Sequence, residues 1–171
     1  YSWEDVLLGS AGGPRRALPL LDDRFFLING DTLCDVDLRG LLDAHLARNA
    51  RVTLAVTPNP APRRYGGILA DADGWVRGFA RAGDPRDPAH FVGVQIADAS
   101  VFETLRDGDP AASIGGLYDT LLAHPGQVAA HHIVGRFHDI GTTADYLETT
   151  REVATDENHS AVPRGLRNVV H

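Results

Sequence analysis

Two acidic residues stand where an α/β protein does chemistry. Asp31 closes a short apolar run in Leu27-Ile28-Asn29-Gly30-Asp31-Thr32, and Asp139 precedes a glycine turn in His138-Asp139-Ile140-Gly141-Thr142. In open α/β sheets, ligands bind outside the carboxyl ends of the strands, where Asp31 is expected. Gly30 allows the backbone to approach a phosphate closely. Each segment alone also has a plain reading, since Gly-Asp is a common turn and Asp a common helix cap. Taken together, two carboxylates from distant strand ends suit one Mg²⁺, which takes one or two carboxylates, waters and substrate phosphate oxygens.

Other candidates carry weaker signals. Asp35-Val36-Asp37 has the spacing of a metal-binding Asp-x-Asp, because alternate residues of an extended segment share a side. The same pair also suits the start of a helix, where acidic side chains favour the dipole. His131, His132 and His138 suggest zinc by composition, but neighbours on a strand point to opposite faces. Arg63-Arg64 reads as a solvated loop pair that can reach a phosphate. Cys34 has no base partner in the sequence and reads as a small packed residue.

The elements expected to position these groups alternate in type. Arg24–Asn29 reads as a buried parallel strand, residues 38–49 as an amphipathic helix and 51–57 as the next strand, giving a right-handed βαβ unit. Before it, residues 11–21 suggest a helix that starts late, near Pro14. Residues 67–71 and 75–79 flank Asp73-Gly74, a hairpin signal. A strand over 90–97, a short helix over 100–105 capped by Ser100, a helix over 113–123, a strand over 128–134 and a helix over 143–153 capped by Thr142 or Thr143 complete the series. The order favours an α/β fold with a mixed, mostly parallel central sheet flanked by helices. Residues 1–154 form the domain, and 155–171 read as a linker or the start of a further element.

Composition narrows the function. The chain has 171 residues, enough for one domain with a sizeable core. Sixteen basic residues against twenty-three acidic ones leave a net charge of −7. That argues against nucleic acid and anionic membranes as partners, since both are bound by clustered Lys and Arg. A phosphorylated substrate stays compatible, because a divalent cation lets an acidic site accept phosphate. Cys34 is the only cysteine, which fits a cytoplasmic setting without disulfides. No apolar stretch nears the roughly 20 residues of a membrane helix. There is no methionine, even at position 1, so sequence is expected before Tyr1. Self-association is compatible with all of this.

Several segments, in order, resemble the sugar-1-phosphate nucleotidyltransferase family. Leu8-Gly9-Ser10-Ala11-Gly12-Gly13 is similar to its Gly-Thr-Ala-Gly segment, with Ser for Thr. Ile28-Asn29-Gly30-Asp31 resembles the strand ending in its metal-binding Asp. Tyr65-Gly66-Gly67-Ile68 looks like its Tyr-Gly-Val segment, and Phe91-Val92-Gly93-Val94 like a strand lining the sugar site. Phe137 to Thr142, followed by Asp145-Tyr146-Leu147, resembles its Trp-x-Asp-x-Gly-Thr-x-x-x-Tyr-Leu signature. The resemblance covers about residues 4 to 150 and implies a nucleotide-diphospho-sugar transferase fold. It implies Asp31 and Asp139 as Mg²⁺ ligands, Gly9, Ser10, Ala11 and Gly12 at the nucleobase, and Gly67 and Gly93 at the sugar. Nucleoside triphosphate and sugar 1-phosphate are the implied substrates. The sugar phosphate would attack the α-phosphorus in line and pyrophosphate would leave.

Departures from the family matter as well. Its opening strand and Gly-rich triphosphate loop, with Arg and Lys, are not found, so the chain shown is not expected to act unaided. Its Glu-Lys-Pro after the hairpin is replaced by Ala80-Arg81-Ala82-Gly83, and an expected Asn by Phe91 or Val92. A metal-dependent glycosyltransferase using Asp35 and Asp37, a non-catalytic sensor of nucleotide sugars and a product-binding interaction domain are the rival readings.

Overall fold

The computed structural model describes residues 1–155. Its centre is a four-stranded sheet in the order β1-β6-β3-β7, formed by β1 (Arg24–Ile28), β3 (Val52–Thr57), β6 (His90–Asp98) and β7 (Val128–His132). Strands β3 and β7 pair in parallel, and β6 runs antiparallel to both β1 and β3. The fold is therefore α/β with a mixed sheet, as expected, but "mostly parallel" needs refinement. Strands β1, β3 and β7 share one direction, yet only β3 and β7 are parallel neighbours. The crossover through α2 (Leu38–Arg48) joins β1 to β3 across a slot that β6 occupies. Six consecutive buried residues, Val92–Ala97, let β6 fill that central slot.

Alternation along the strands divides the core into two layers. Val52, Leu54 and Val56 of β3 face Phe102 and Val101 of α3 (Ala99–Phe102) and Tyr118 of α4 (Tyr118–Leu121). Ala55 of β3, with Val92, Val94 and Ile96 of β6, faces Leu41 of α2. Polar groups buried in these layers are mostly paired. Tyr118 donates its hydroxyl to Gln95 at 2.8 Å, and His45 Nδ1 meets Thr53 Oγ1 at 2.9 Å. His45 Nε2 is an exception, because Asp98 lies 3.6 Å away, too far for a hydrogen bond.

Several expected boundaries shift for physical reasons. Helix α1 spans Gly9–Ala17, so Pro14 lies inside it rather than at its start. The first turn is satisfied from outside, because Ala11 and Gly12 donate to the Ala111 carbonyl at 2.9 and 3.2 Å. Helix α3 is only four residues long and starts after Asp98, not Ser100. Asp98 makes no side-chain cap, its carboxylate being taken by Arg24 at 2.8 Å. The helix expected over 113–123 breaks at Ile114 and at Gly115, which has φ +78°, and resumes as α4. The hairpin forms from β4 (Gly67–Ala70) and β5 (Val76–Ala80). Helix α5 (Thr143–Thr155) is capped by Thr142, whose hydroxyl accepts from Asp145 N at 3.2 Å. The segment read as a linker lies, beyond Thr155, outside the described residues.

One pairing is not anticipated by the sequence pattern. Two three-residue strands, β2 (Thr32–Cys34) and β8 (Phe137–Asp139), form a separate antiparallel ladder. That ladder builds the candidate site.

Candidate functional site

The β2–β8 register sets Thr32 opposite Asp139, Leu33 opposite His138 and Cys34 opposite Phe137. Just beyond, Ile140 N donates to the Asp31 carbonyl at 3.0 Å. A strand end and a turn more than a hundred residues apart are thereby clamped together by backbone. A Cβ placed on Gly141 would stand 3.1 Å from Asp139 Oδ1 and 3.7 Å from Asp31 Oδ2. Both carboxylates thus flank one spot, which a residue larger than glycine would crowd.

The two differ in how they are held. Asp31 is exposed, and its carboxylate takes no hydrogen bond among the described residues. Asp139 is half-buried and fixed on both oxygens: Gly141 N donates to Oδ1 at 3.0 Å and the Tyr65 hydroxyl to Oδ2 at 2.9 Å. Burial, with the bond to Asp139 next in importance, pushes the Tyr65 phenol up to about 12. It is therefore a neutral donor at physiological pH. Arg64 lies 3.7 Å from Asp139 Oδ2 and forks onto Asp145 at 2.9 and 2.7 Å. Arg64 and the Thr142 hydroxyl hold the Asp145 carboxyl down at about 2. Arg63 and Arg64 are both exposed, as a solvated loop pair is, and Arg64 in addition ties the loop before β4 to the first turn of α5.

The donor set fits Mg²⁺. Hard carboxylate oxygens on a half-exposed face leave room for waters and phosphate oxygens. Among the described residues, no three His, Cys, Asp or Glu side chains stand close enough to hold a metal by themselves. His131 is half-buried and His132 exposed, as opposite faces require, and His138 Nδ1 meets Glu152 at 3.3 Å. Asp37 is committed as the N-cap of α2, its Oδ1 accepting from Arg39 N at 3.1 Å, so the helix-start reading of Asp35 and Asp37 applies to it. Cys34 is half-buried beside the Leu41 cluster, and burial raises its thiol pKa, as befits a packing residue.

The glycine candidates fall into two groups. Gly93, at φ +79°, is pressed against the Asp31 loop: a Cβ there would meet Thr32 Oγ1 at 2.8 Å and Asn29 Cβ at 3.0 Å. Gly67 lies against the Ala89 carbonyl and Pro88, on a cleft of about 240 Å³ lined also by Tyr65, Gly66, His90 and Phe91. Through Tyr65 this cleft shares a wall with Asp139. Gly9, Ser10, Ala11 and Gly12 form the first turn of α1, packed on the 109–113 loop. Gly9 has φ +77°, and a Cβ on Gly12 would meet the Asp109 carbonyl at 2.7 Å. Ala11 and Gly12 are buried, so Gly9 and Ser10 are the members left at the surface. The Ser10 hydroxyl accepts from Ser113 N at 2.9 Å.

The nucleotidyl transferase family model matches residues 1–156. The chain is 29% identical over 156 residues to the catalytic subunit beta of mannose-1-phosphate guanylyltransferase from Drosophila pseudoobscura pseudoobscura, covering 86% of this chain and 40% of that protein. It is 35% identical over 104 residues to D-glycero-alpha-D-manno-heptose 1-phosphate guanylyltransferase from Aneurinibacillus thermoaerophilus, covering 60% and 45%. The chain thus spans less than half the length of these relatives. In fold it is similar to HddC from Yersinia pseudotuberculosis, with a TM-score of 0.72 at 23% identity over 87% of this chain and 64% of that one. A glucose-1-phosphate thymidylyltransferase from Bacillus anthracis, so described in its structure, gives 0.74 at 16% identity over 90% and 64%. With its mixed sheet, its paired carboxylates and a family match over nearly its whole length, the chain belongs to the nucleotidyl transferase family.

Proposed function

We propose that the full-length protein transfers a nucleotidyl group to a sugar 1-phosphate, with GTP as donor and a manno-configured sugar as acceptor. The observation that carries the reading is the β2–β8 ladder, which draws Asp31 and Asp139 to one spot at the end of the sheet. The names of the relatives support the guanylyl donor and the manno configuration. An oxygen of the sugar phosphate attacks the α-phosphorus of GTP in line. The bond from that phosphorus to the β-phosphate bridging oxygen breaks, and pyrophosphate leaves with its electron pair.

This chain's residues supply position and charge rather than a covalent partner. Asp31 and Asp139 would hold Mg²⁺, which when bound neutralises charge on the phosphates. Tyr65 and Gly141 N fix the rotamer of Asp139, so one carboxylate is rigid and the other free to adapt. Gly9 and Ser10 offer backbone to the nucleobase, Gly67 lets a sugar ring come close to main chain, and Gly93 lets β6 pack tightly behind the Asp31 loop.

The test is pyrophosphate release by the full-length protein with Mg²⁺, using a panel of nucleoside triphosphates and sugar 1-phosphates. Turnover with GTP and mannose or heptose 1-phosphate is expected. A protein that binds nucleotide sugars tightly yet releases no pyrophosphate with any pair would be a sensor, and the enzyme reading would fall.

A further inference from the structure

The cleft beside Gly67 is walled by glycine backbone and apolar carbon, with two polar side chains, Tyr65 and His90. Tyr65 donates its hydroxyl hydrogen bond to Asp139. Among the described residues, His90 is therefore the one lining side chain whose polar atoms remain uncommitted. Its ring is held on both sides, by Tyr65 and by Phe137, with centroids 4.6 Å away in each case. Only the ring edges remain for polar contact.

The two edges are not alike. Nδ1 is enclosed and has no hydrogen-bond partner, whereas Nε2 is not among the enclosed orphans. An orphaned buried N–H is rarer in proteins than an under-satisfied acceptor. The economical tautomer leaves the lone pair on Nδ1 and the proton on Nε2. Burial, outweighing the nearby Asp139, keeps the imidazole neutral by lowering its pKa. Near neutral pH the ring thus presents one defined donor at its open edge.

We infer that His90 is a specificity residue of this cleft, its Nε2–H donating to a hydroxyl of the sugar ring while the C1 phosphate lies toward Asp31 and Asp139. The inference rests on reading the cleft as the sugar subsite. Tyr65 sets the direction, since it forms one wall of the cleft and touches Asp139. A site with one such donor favours a sugar that carries a hydroxyl at the facing carbon over the analogue lacking it, because a bound sugar that covers the donor without pairing it leaves it unsatisfied.

Two measurements on the full-length protein decide it. In ¹⁵N-histidine NMR, the resonance lost in His90→Phe should show the Nε2–H tautomer and shift when mannose 1-phosphate is added, but not with inorganic phosphate. An Nδ1–H tautomer, or no shift with any sugar 1-phosphate, overturns the proposal even if the protein never turns over. In kinetics, His90→Phe keeps a ring between Tyr65 and Phe137 while deleting the donor. The KM for the preferred sugar 1-phosphate should rise about tenfold, as for loss of one hydrogen bond, with the KM for GTP changed less than about twofold. One monodeoxy sugar 1-phosphate, poor for the wild type, should become as good as its parent for the variant. An unchanged sugar KM in an active His90→Phe would make His90 a stacking residue only. Wild-type failure to release pyrophosphate would instead sink the parent reading, leaving the NMR result to judge His90.

Discussion

Two regions of this molecule, each proposed to meet a ligand, are built by opposite means. At the β2–β8 end the work is done by side chains: Asp139 is gripped by Tyr65 and Gly141, and Arg64 is locked to Asp145. At the first turn of α1 it is done by missing side chains: Gly9 and Gly12 let the backbone settle on the Asp109 and Ala111 carbonyls. A side-chain site fails chemically when one group is changed and leaves its fold standing. A backbone site fails structurally when any Cβ is added. The contrast can be broken or sharpened by mutation.

The largest effect is expected at the carboxylates. Asp31→Asn and Asp139→Asn should each lower kcat for pyrophosphate release by about a hundredfold or more, since a metal's charge stabilisation is worth several kcal/mol. Circular dichroism should be unchanged. Next come the glycines. Gly12→Ala forces a Cβ against a backbone carbonyl at 2.7 Å, and Gly9→Ala adds one at φ +77°. Each should cost about 1–3 kcal/mol in denaturant unfolding. Gly30→Ala is the control, because nothing lies within 4 Å of its would-be Cβ. Its stability should stay within about 0.5 kcal/mol of wild type, so a loss of activity there would mark close phosphate approach.

Smaller effects test how Asp139 is held. Tyr65→Phe keeps the ring against His90 but removes the donor to Asp139, and should lower kcat about tenfold, the worth of one hydrogen bond. Asp145→Asn should reduce turnover only a few-fold, because Arg64 is half-exposed and the pair is screened. Its pH signature is more specific. The folded-state pKa of Asp145 is depressed from 3.8 to about 2, so its stabilisation is present above about pH 4 and lost as pH falls toward 2. Acid titration of thermal stability should therefore lose part of its slope in that window in the Asn variant. His45 acts at higher pH. Burial disfavours its charged form, so the unfolded chain binds the extra proton, and Tm should fall on acidification below about pH 6.5.

What the sequence revealed follows the same divide. Asp31 and Asp139 stand out in the sequence because a carboxylate beside glycine at the end of an element is a local pattern. The Tyr65–Asp139 and Arg64–Asp145 contacts join residues 74 and 81 apart, and no local pattern encodes such pairs. Strands of three residues, like β2 and β8, are too short to show an alternation. The apolar run of β6 announced burial but not direction, so the antiparallel strand between β1 and β3 could not be read from it. The early start of helix α1 leaves no local signal, because its first turn is satisfied by the Ala111 carbonyl, a hundred residues onward.

The central claim is that Asp31 and Asp139 act on one ion, and a double-mutant cycle on pyrophosphate release tests it most directly. If both carboxylates hold the same Mg²⁺, Asp31→Asn with Asp139→Asn should cost little more than the worse single variant, because either change already removes the shared ion. Losses that simply multiply would show two independent roles, and near-normal turnover in either single variant would contradict the site itself.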